Sequence, residues 1–540
     1  MSLEKRPSDS PAPNVDEIEE QKMSDDAKRA LHGGPPPFRW ASLWEPAVVN
    51  HLNGKAYTLP ILNLRDQYAI NFHLAWLGFF VAFLSWFAFP PLIPEAIKTD
   101  LNLTTAQIGN SNIIALLATL VVRWIIGPFV DRWGPRWTMA GVLIVGSIPS
   151  GLAGTISSAS GLYAIRFFIG ILGATFVPCL TWTTIFFDKS IVGTANSLVG
   201  GWGNLGGGVT FVVQVALYQH LLKDGLSPHS SWRAAFAIVP VPILWFVAIM
   251  TIIFGTDHPA GKWSARHTLP ATAIAARQGH FAKLDASERA LVERKMQEKA
   301  AATGRVQAAE DDMDEAAAEV PLDVAVSERL TWKSFLTMIS KPYTWLPALL
   351  YMTTFGFELA VDANLANVLY SDHKSASFGQ LRAGYYASTF GFLNVVTRPF
   401  GGYVGDKLYP RFGVTGKKYL TITLGFLQGM MALAYGLYVR HHYSIGSKPD
   451  LNTQMGIVAL MAIFCETANG ACFSLVPHCN PFSNGFVTGL VGGIGNLGGI
   501  FIALMFRYHV VEGYNVAWIS AGAFAAGVNL LCILLPTPKK

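Results

Sequence analysis

The chain has 540 residues, 51% of them hydrophobic and only 14% charged, with a net charge of +5. Ordinary soluble domains carry about 25% charged residues, so the length does not describe a string of soluble domains. The basic residues sit in loops and tails, which argues against a nucleic-acid partner.

In chain order, the first segment (1–69) is polar and proline-bearing (RPSDSPAPN, then GGPPPF) and lacks the apolar core of a cleaved signal peptide. Six apolar runs follow, at about 70–94, 105–127, 137–155, 160–187, 191–220 and 234–254. Each is long enough to cross a hydrocarbon core of about 30 Å as a helix, the form that pairs every backbone group internally. They define a first bundle, 70–255. Residues 256–342 are charged and rich in Ala, Glu, Lys and Arg (ASERALVERKMQEKAAA), and form a partly helical central loop that cannot span. Six more runs, at about 343–369, 382–404, 417–439, 453–475, 482–507 and 514–535, make a second bundle, 343–535, before a short tail, 536–540.

Twelve spans put both termini on one side. Arg132 and Arg136 after span two, Lys407, Arg411, Lys417 and Lys418 after span eight, the central loop and Lys539–Lys540 assign that side to the cytoplasm under the positive-inside rule. Lys223, Arg233, Arg440 and Lys448 lie on the other face. The sequon Asn102-Leu103-Thr104 falls there too, close enough to the membrane to be expected unused. The five cysteines (Cys179, Cys465, Cys472, Cys479, Cys532) lie in or beside apolar runs and read as small core residues, not a disulfide framework. The sequence holds no metal cluster, nucleophile–base pair or soluble nucleotide unit, so neither an enzyme nor a cofactor or metal is expected.

The two bundles repeat one another. Arg123 precedes Asp131 by eight residues and Arg398 precedes Asp406 by eight, with Gly127 and Gly402 four before each carboxylate. FVPC at 176–179 is echoed by LVPHC at 475–479, and LVGGWGNLGG at 198–207 by LVGGIGNLGG at 490–499. Parallel six-span repeats point to a transporter with its site near the bilayer midplane, between the halves.

Both glycine phrases contain G-x-G-x-x-G (Gly201, Gly203, Gly206 and Gly493, Gly495, Gly498). A dinucleotide loop needs a strand before it and a soluble unit around it; here apolar sequence continues on both sides. Helix packing is the simpler role: Gly203 and Gly207, like Gly495 and Gly499, are spaced by four and let backbones approach. That leaves Asn204 and Asn496, whose buried amides need partners, served equally by a backbone group or by a polar solute.

Arg123 and Arg398 lie inside apolar runs, where an arginine costs at least about 2.5–3.5 kcal/mol. The eight residues to the interfacial aspartate span about 12 Å, long for snorkelling. Two guanidiniums at one cavity make an anion site, and their planar donor forks suit a planar oxyanion. The turn GPFVDRWGPR supplies Gly127, Asp131, Arg132, Gly134 and Arg136, which with Asp406 read as a gating latch and not as substrate contacts. Glu358, Asp362 and Glu466 are the carboxylates inside spans; each is consistent with a proton site, or with a structural partner for a buried arginine or amide. His73 and His478 are lesser candidates.

The turn GPFVDRWGPR on twelve spans with a long central loop resembles the major facilitator superfamily. The paired GNLGG phrases resemble the signatures of its nitrate/nitrite porter family. SNIIALLATLVVRWIIGPFVDRWGPR, RFFIGILGATFVPC, FFDKSIVGTANS, GKWSARH and GNLGGIFIALMFRY are similar to fungal high-affinity nitrate transporters, over about residues 60–535. The resemblance implies an all-α integral membrane protein of twelve transmembrane helices in two pseudo-symmetric halves. It implies that Arg123 and Arg398 clamp nitrate, that Asn204 and Asn496 are the signature asparagines, and that Phe83, Phe176, Tyr351 and Phe355 sandwich the anion. Thr119, one turn before Arg123, adds a hydroxyl.

The function so implied is high-affinity nitrate uptake, nitrite included, across the plasma membrane by proton symport with alternating access. Some bacterial members exchange nitrate for nitrite, and the residues do not separate the two. The partners are then nitrate, nitrite, protons and membrane lipid, with a regulatory kinase at Ser264 and Ser287 of the central loop. Carriage of another small anion and nitrate sensing are the rival roles. Trp202, bulky within its glycine phrase, and Asp362 depart from the expected pattern.

Overall fold

The computed structural model describes residues 36–50, 54–264, 291, 294, 331–479, 483–510 and 512–538. Ten of its helices are long and apolar enough to cross a membrane. One of these, Gln380–Ser444, is of double length and bent where Gly413 takes φ 59°. Counting its two limbs, and adding Pro342–His373, gives twelve.

We number these spans α1 (Gln67–Trp86), α2 (Thr105–Trp133), α3 (Pro135–Leu152), α4 (Ala159–Phe186), α5 (Val192–Lys223) and α6 (Pro228–Phe254) in the first half. The second half has α7 (Pro342–His373), α8 (380–412), α9 (414–444), α10 (Leu451–Cys479), α11 (Asn484–Tyr508) and α12 (Asn515–Leu531). The break expected between spans eight and nine is a tight kink at Gly413 and not a long loop. Gly413, at φ 59°, breaks the helix there, Lys407 and Arg411 lie before the kink, and Lys417 and Lys418 after it are buried against Asp406 and the Ile533 and Leu535 carbonyls.

Local chemistry sets several ends. Asp66 accepts from the backbone N of Tyr68 to start α1, and Thr104 with Gln107 forms a capping box at α2. Inside α4, residues Gly170–Thr175 tighten to a 3₁₀ turn where the helix presses on α2. A Cβ on Gly170 would stand 2.8 Å from the Ala115 carbonyl oxygen. Apolar side chains such as Phe246, Ile253, Val396 and Phe400 remain on the outside, as a lipid-facing surface requires.

The halves meet along two helix pairs, α2 against α11 and α5 against α8. Both crossings are backbone to backbone: a Cβ on Gly127 would lie 2.8 Å from the Gly485 oxygen, and one on Gly208 would lie 3.0 Å from Gly391. The last part of the N-terminal segment docks onto the α4–α5 turn. Ala56 bonds to Phe186 and Asp188 through its backbone, and the Lys55 amine donates to the Thr184 carbonyl. Of the central loop, residues 256–264, 291, 294 and 331–342 are described, and Trp332–Ser340 is a short helix capped by Thr331. Ser264 is exposed, whereas Ser287, Lys539 and Lys540 lie outside the described residues.

Candidate functional site

The 3₁₀ turn in α4 is where the site begins. Tightening the helix releases carbonyl oxygens from the usual ladder. The Gly170 oxygen accepts from the Thr119 hydroxyl at 2.7 Å, and the Gly173 oxygen accepts from Arg123 Nε at 2.9 Å. Thr119 thus braces α4 against α2, and its hydroxyl is directed at backbone. Arg123 also donates Nη1 to the Gly492 oxygen of α11 at 2.9 Å. Its remaining nitrogen, Nη2, is buried with no acceptor among the described residues. The guanidinium lies over two rings, 4.6 Å from Phe176 and 5.0 Å from Phe355.

Those rings belong to a stack. Tyr351 and Phe355, one turn apart on α7, have centroids 4.6 Å apart and planes within 6°. Phe176 lies 5.7 Å from each, near-parallel, and Phe473 closes the stack edge-on. Phe83 stands one ring further back, against Phe79, which is the ring that touches Phe176.

Arg398 reaches the same stack from the other half, 5.7 Å from Phe355. Its partners differ in kind. Nη2 donates to the Tyr351 hydroxyl at 2.8 Å; Nη1 donates to Asn394 Oδ1 at 3.3 Å and to Glu358 Oε2 at 3.4 Å, with Glu466 Oε2 at 3.7 Å. Glu358 also accepts from Asn394 and from Asn469. Asp362, one turn further along α7, is close enough for its charge to act on Glu358 and Arg398. Both arginines, Tyr351, Phe355, Phe176, Glu358 and Glu466 are buried.

The glycine phrases are where each half receives the other's arginine. A Cβ on Gly200 would stand 3.3 Å from Arg398 Nε, and one on Gly492 would stand 3.2 Å from Arg123 Nη1. Further along, Gly203 seats the Phe79 ring, and a Cβ on Gly495 would stand 2.8 Å from Tyr351. Gly206 and Gly498 face the backbone oxygens of Phe80 and Met352. Gly201 and Gly493 receive the Asn394 backbone and the Trp124 ring, Gly207 makes ordinary contact with Phe87, and Gly499 packs on Leu116 and the Gly356 backbone. Close backbone approach thus falls to Gly201, Gly206 and Gly498, and also to Gly495 and Gly499, whose backbone lies against Gly356 of α7. Asn496 Nδ2 donates to the Gly492 oxygen that also holds Arg123, and the Oδ1 atoms of Asn204 and Asn496 are buried without a donor among the described residues. Trp202 points away from the site, edge-on to Phe72 and Trp76.

At one end of the bundle, Asp131 receives the start of α11: Ser483 Oγ at 2.6 Å and the backbone N of Gly485 and Phe486, each at 3.0 Å. Asp406 does the same at α5, accepting from Thr194 N and Oγ1, and also from Lys417 Nζ at 2.9 Å. Gly134, at φ 88°, turns the chain into α3, where the Arg136 backbone N donates to Asp257; Arg132 is exposed. At the opposite end Gln380 Oε1 accepts from the backbone N of Glu95 and Ala96, and Arg507 donates to Asn110. Cross-half bonds therefore enclose the arginine site from both ends.

His73 is fixed between the Ile61 oxygen and the Trp76 ring nitrogen, and His478 lies beside Lys417; neither reaches the stack. Sequence reading passed over Asn394, Asn469, Phe79, Phe473, Gly200 and Gly492. The first two carried a usable signal, since Asn394 is four residues before Arg398 and Asn469 three after Glu466, on the same helix faces.

Comparison with known proteins agrees with this architecture. The Major Facilitator Superfamily profile matches residues 75–503. The chain is 28% identical to the "High-affinity nitrate transporter 2.3" of Oryza sativa subsp. japonica, over 88% of this chain and 77% of that protein. It is 28% identical to the "Nitrate/nitrite transporter NrtP" of Nostoc punctiforme, over 83% of this chain and 88% of that one. Among solved structures, the proton:xylose symporter XylE shares the fold, with a TM-score of 0.57 at 13% identity, covering 88% of this chain and 97% of XylE. These two nitrate-named relatives come from a plant and a cyanobacterium, so the narrower likeness to fungal members rests on the quoted motifs. The chain belongs to the major facilitator superfamily, and is a multi-pass membrane transporter rather than an enzyme.

Proposed function

We propose that this protein takes up nitrate, and nitrite with it, across the plasma membrane by proton-coupled symport, with both termini in the cytoplasm. The observation that carries the anion reading is Arg123 Nη2: a buried cationic donor, held in direction by two carbonyls and an aromatic face, with no acceptor among the described residues. A small planar oxyanion beside the Phe355 ring would meet this nitrogen from one half and Arg398 from the other. The rings exclude water, which strengthens the charge-assisted bonds. Sulfate or phosphate, tetrahedral and bulkier, fit a flat aromatic slot poorly. The names of the relatives support nitrate over other small anions.

Alternating access follows from the two latches. Opening toward the cytoplasm requires Asp131 to leave α11 and Asp406 to leave α5. Opening outward requires Gln380 to release residues 95–96. Asn204 and Asn496 would lend polar contacts to the anion as the halves move.

The test is nitrate-evoked current at several pH values in a cell lacking other nitrate transporters, with competition by nitrite, chlorate, formate and sulfate. Inward positive current that grows with acidity, blocked by nitrite and chlorate and not by sulfate, is expected. Inhibition by sulfate as strong as by nitrite would refute the planar-anion reading. Absence of acid-stimulated current, with nitrate uptake intact, would replace symport by exchange.

A further inference from the structure

Glu466 is fully buried, and neither of its carboxyl oxygens has a hydrogen-bond donor among the described residues. Its carboxyl shares Arg398 Nη1 with that of Glu358, at 3.7 and 3.4 Å, and the two carboxyls act on each other directly. Glu358 is the better served of the two, taking donors from Asn394 at 3.1 Å, Asn469 at 2.6 Å and Arg398 at 3.4 Å. Two ionised carboxylates side by side in a dry site repel each other, and the one without donors bears the full cost of desolvation. One proton on Glu466 resolves both problems, since the acid then donates to Glu358.

The charges facing the pair are Asp362 on α7, Arg398 on α8 and, through Glu358, Arg123 on α2. Arg398 is the common neighbour of the carboxyl pair and of the aromatic stack that holds Arg123. We propose that Glu358 and Glu466 together form the proton-binding site, sharing one proton beside Arg398, so that proton and anion bind cooperatively through that guanidinium. The proposal rests on the anion reading given above. An anion arriving at Arg398 weakens that arginine's hold on Glu358, and the pair, deprived of counter-charge, holds a proton more firmly. Protonating the pair conversely releases Arg398 toward the anion. The two effects are equal by linkage. The proton enters from water, converts one carboxylate to its acid, and leaves by the reverse step, with no covalent bond to anion or protein.

The experiment uses the full-length protein in detergent and in liposomes. In the wild type, nitrate affinity should tighten on acidification between pH 8.5 and 5.5, by up to about tenfold per pH unit where the pair titrates. Nitrate added to weakly buffered protein should take up protons, read by an indicator dye. Glu466→Gln copies the protonated acid and its donation to Glu358. Its nitrate affinity should lose its pH dependence, and proton-gradient-driven accumulation should fall to background while nitrate counterflow remains measurable. Asp362→Asn should keep the pH slope.

An E466Q variant with the wild-type slope and gradient-driven accumulation overturns the proposal. So does wild-type protein that binds nitrate without proton uptake, a result independent of whether any variant folds. Loss of the slope in D362N but not in E466Q moves the proton to Asp362 and also overturns it. Wild-type protein that binds no nitrate at any pH overturns the anion reading first and this one with it.

Discussion

Arg123 and Arg398 stand at the same point of the repeat, eight residues before Asp131 and Asp406. Their surroundings differ. Arg123 is held by two carbonyl oxygens and keeps one nitrogen without an acceptor among the described residues; Arg398 is held by a hydroxyl, an amide and a carboxylate. The latches differ in the same direction. Asp131 accepts from a hydroxyl and two backbone N–H groups, whereas Asp406 also holds the buried Lys417. Repetition has kept the backbone positions, while ionisable partners have accumulated in the second half. In the proposed mechanism the first half binds the anion's charge and the second exchanges a proton.

The largest effect expected from this contrast is on stability. Asp406→Asn leaves the buried Lys417 without its carboxylate and should cost about 3–5 kcal/mol. Asp131→Asn weakens charge-assisted bonds to Ser483 and the start of α11 and should cost about 1.5–3 kcal/mol. Thermal unfolding in detergent ranks them, and equal losses would break the contrast between the latches.

Transport separates the arginines next. Arg123→Lys, at normal surface expression, should lower nitrate uptake about 100-fold, roughly 3 kcal/mol, because a point charge cannot hold two carbonyls and present a third donor. Arg398→Lys should also transport poorly, but by a smaller factor, since a lysine there still faces Glu358. Tracer uptake at several nitrate concentrations gives both values, and unchanged affinity in either variant sinks the clamp.

The turns at the latch end offer a pH test. Asp257, outside the spans, is packed against Gly134, and burial pushes its carboxyl up to about 6, partly offset by the bond from the Arg136 backbone. A carboxyl raised in the folded state binds its proton more tightly there than in the unfolded chain. Stability therefore falls as pH rises from about 4 to about 6, and is constant beyond. Asp257→Asn, which keeps an acceptor oxygen, should melt higher than the wild type at pH 7.5, by about 2 kcal/mol, and match it near pH 4. At the α8–α9 kink at Gly413, a substitution at the exposed neighbour Phe412 should show no such pH dependence.

The smallest effect expected is at the glycines that receive the arginines. Gly492→Ala would press on Phe176 and Arg123 at once, at 3.1 and 3.2 Å, and Gly200→Ala on Arg398 Nε alone, at 3.3 Å. About 1 kcal/mol, a several-fold rise in the uptake KM, is expected for the first and less for the second. The reverse order would mean that Arg398 is the more tightly fitted of the two.

Much of this was legible in the sequence because it is local. Run length marks the spans, and a charge inside an apolar run stands out whatever surrounds it, so Arg123, Arg398, Glu358 and Glu466 could all be singled out. What was not legible depends on which faces meet. Phe79 and Phe83 are one turn apart in an all-apolar helix, and only packing decides which ring touches Phe176. The role of Gly200 and Gly492 lies in a partner nearly two hundred or more residues away in the other half. The charges after span eight read as an interfacial break, and Gly413 does turn the chain there, but only the packing shows that Lys417 is buried against Asp406.

One consequence of the crossed arrangement concerns speed. Each arginine is housed by a glycine of the opposite half, Arg398 by Gly200 and Arg123 by Gly492. Rocking the halves apart in either direction withdraws both guanidiniums from their seats together. In the proposed cycle the full set of contacts exists only at its middle, and the anion would be held best in the form that neither side of the membrane can reach. Cargo thereby lowers the barrier to its own passage, much as an enzyme favours a transition state over its substrate. An anion fitting an open form better would bind more tightly and be carried more slowly.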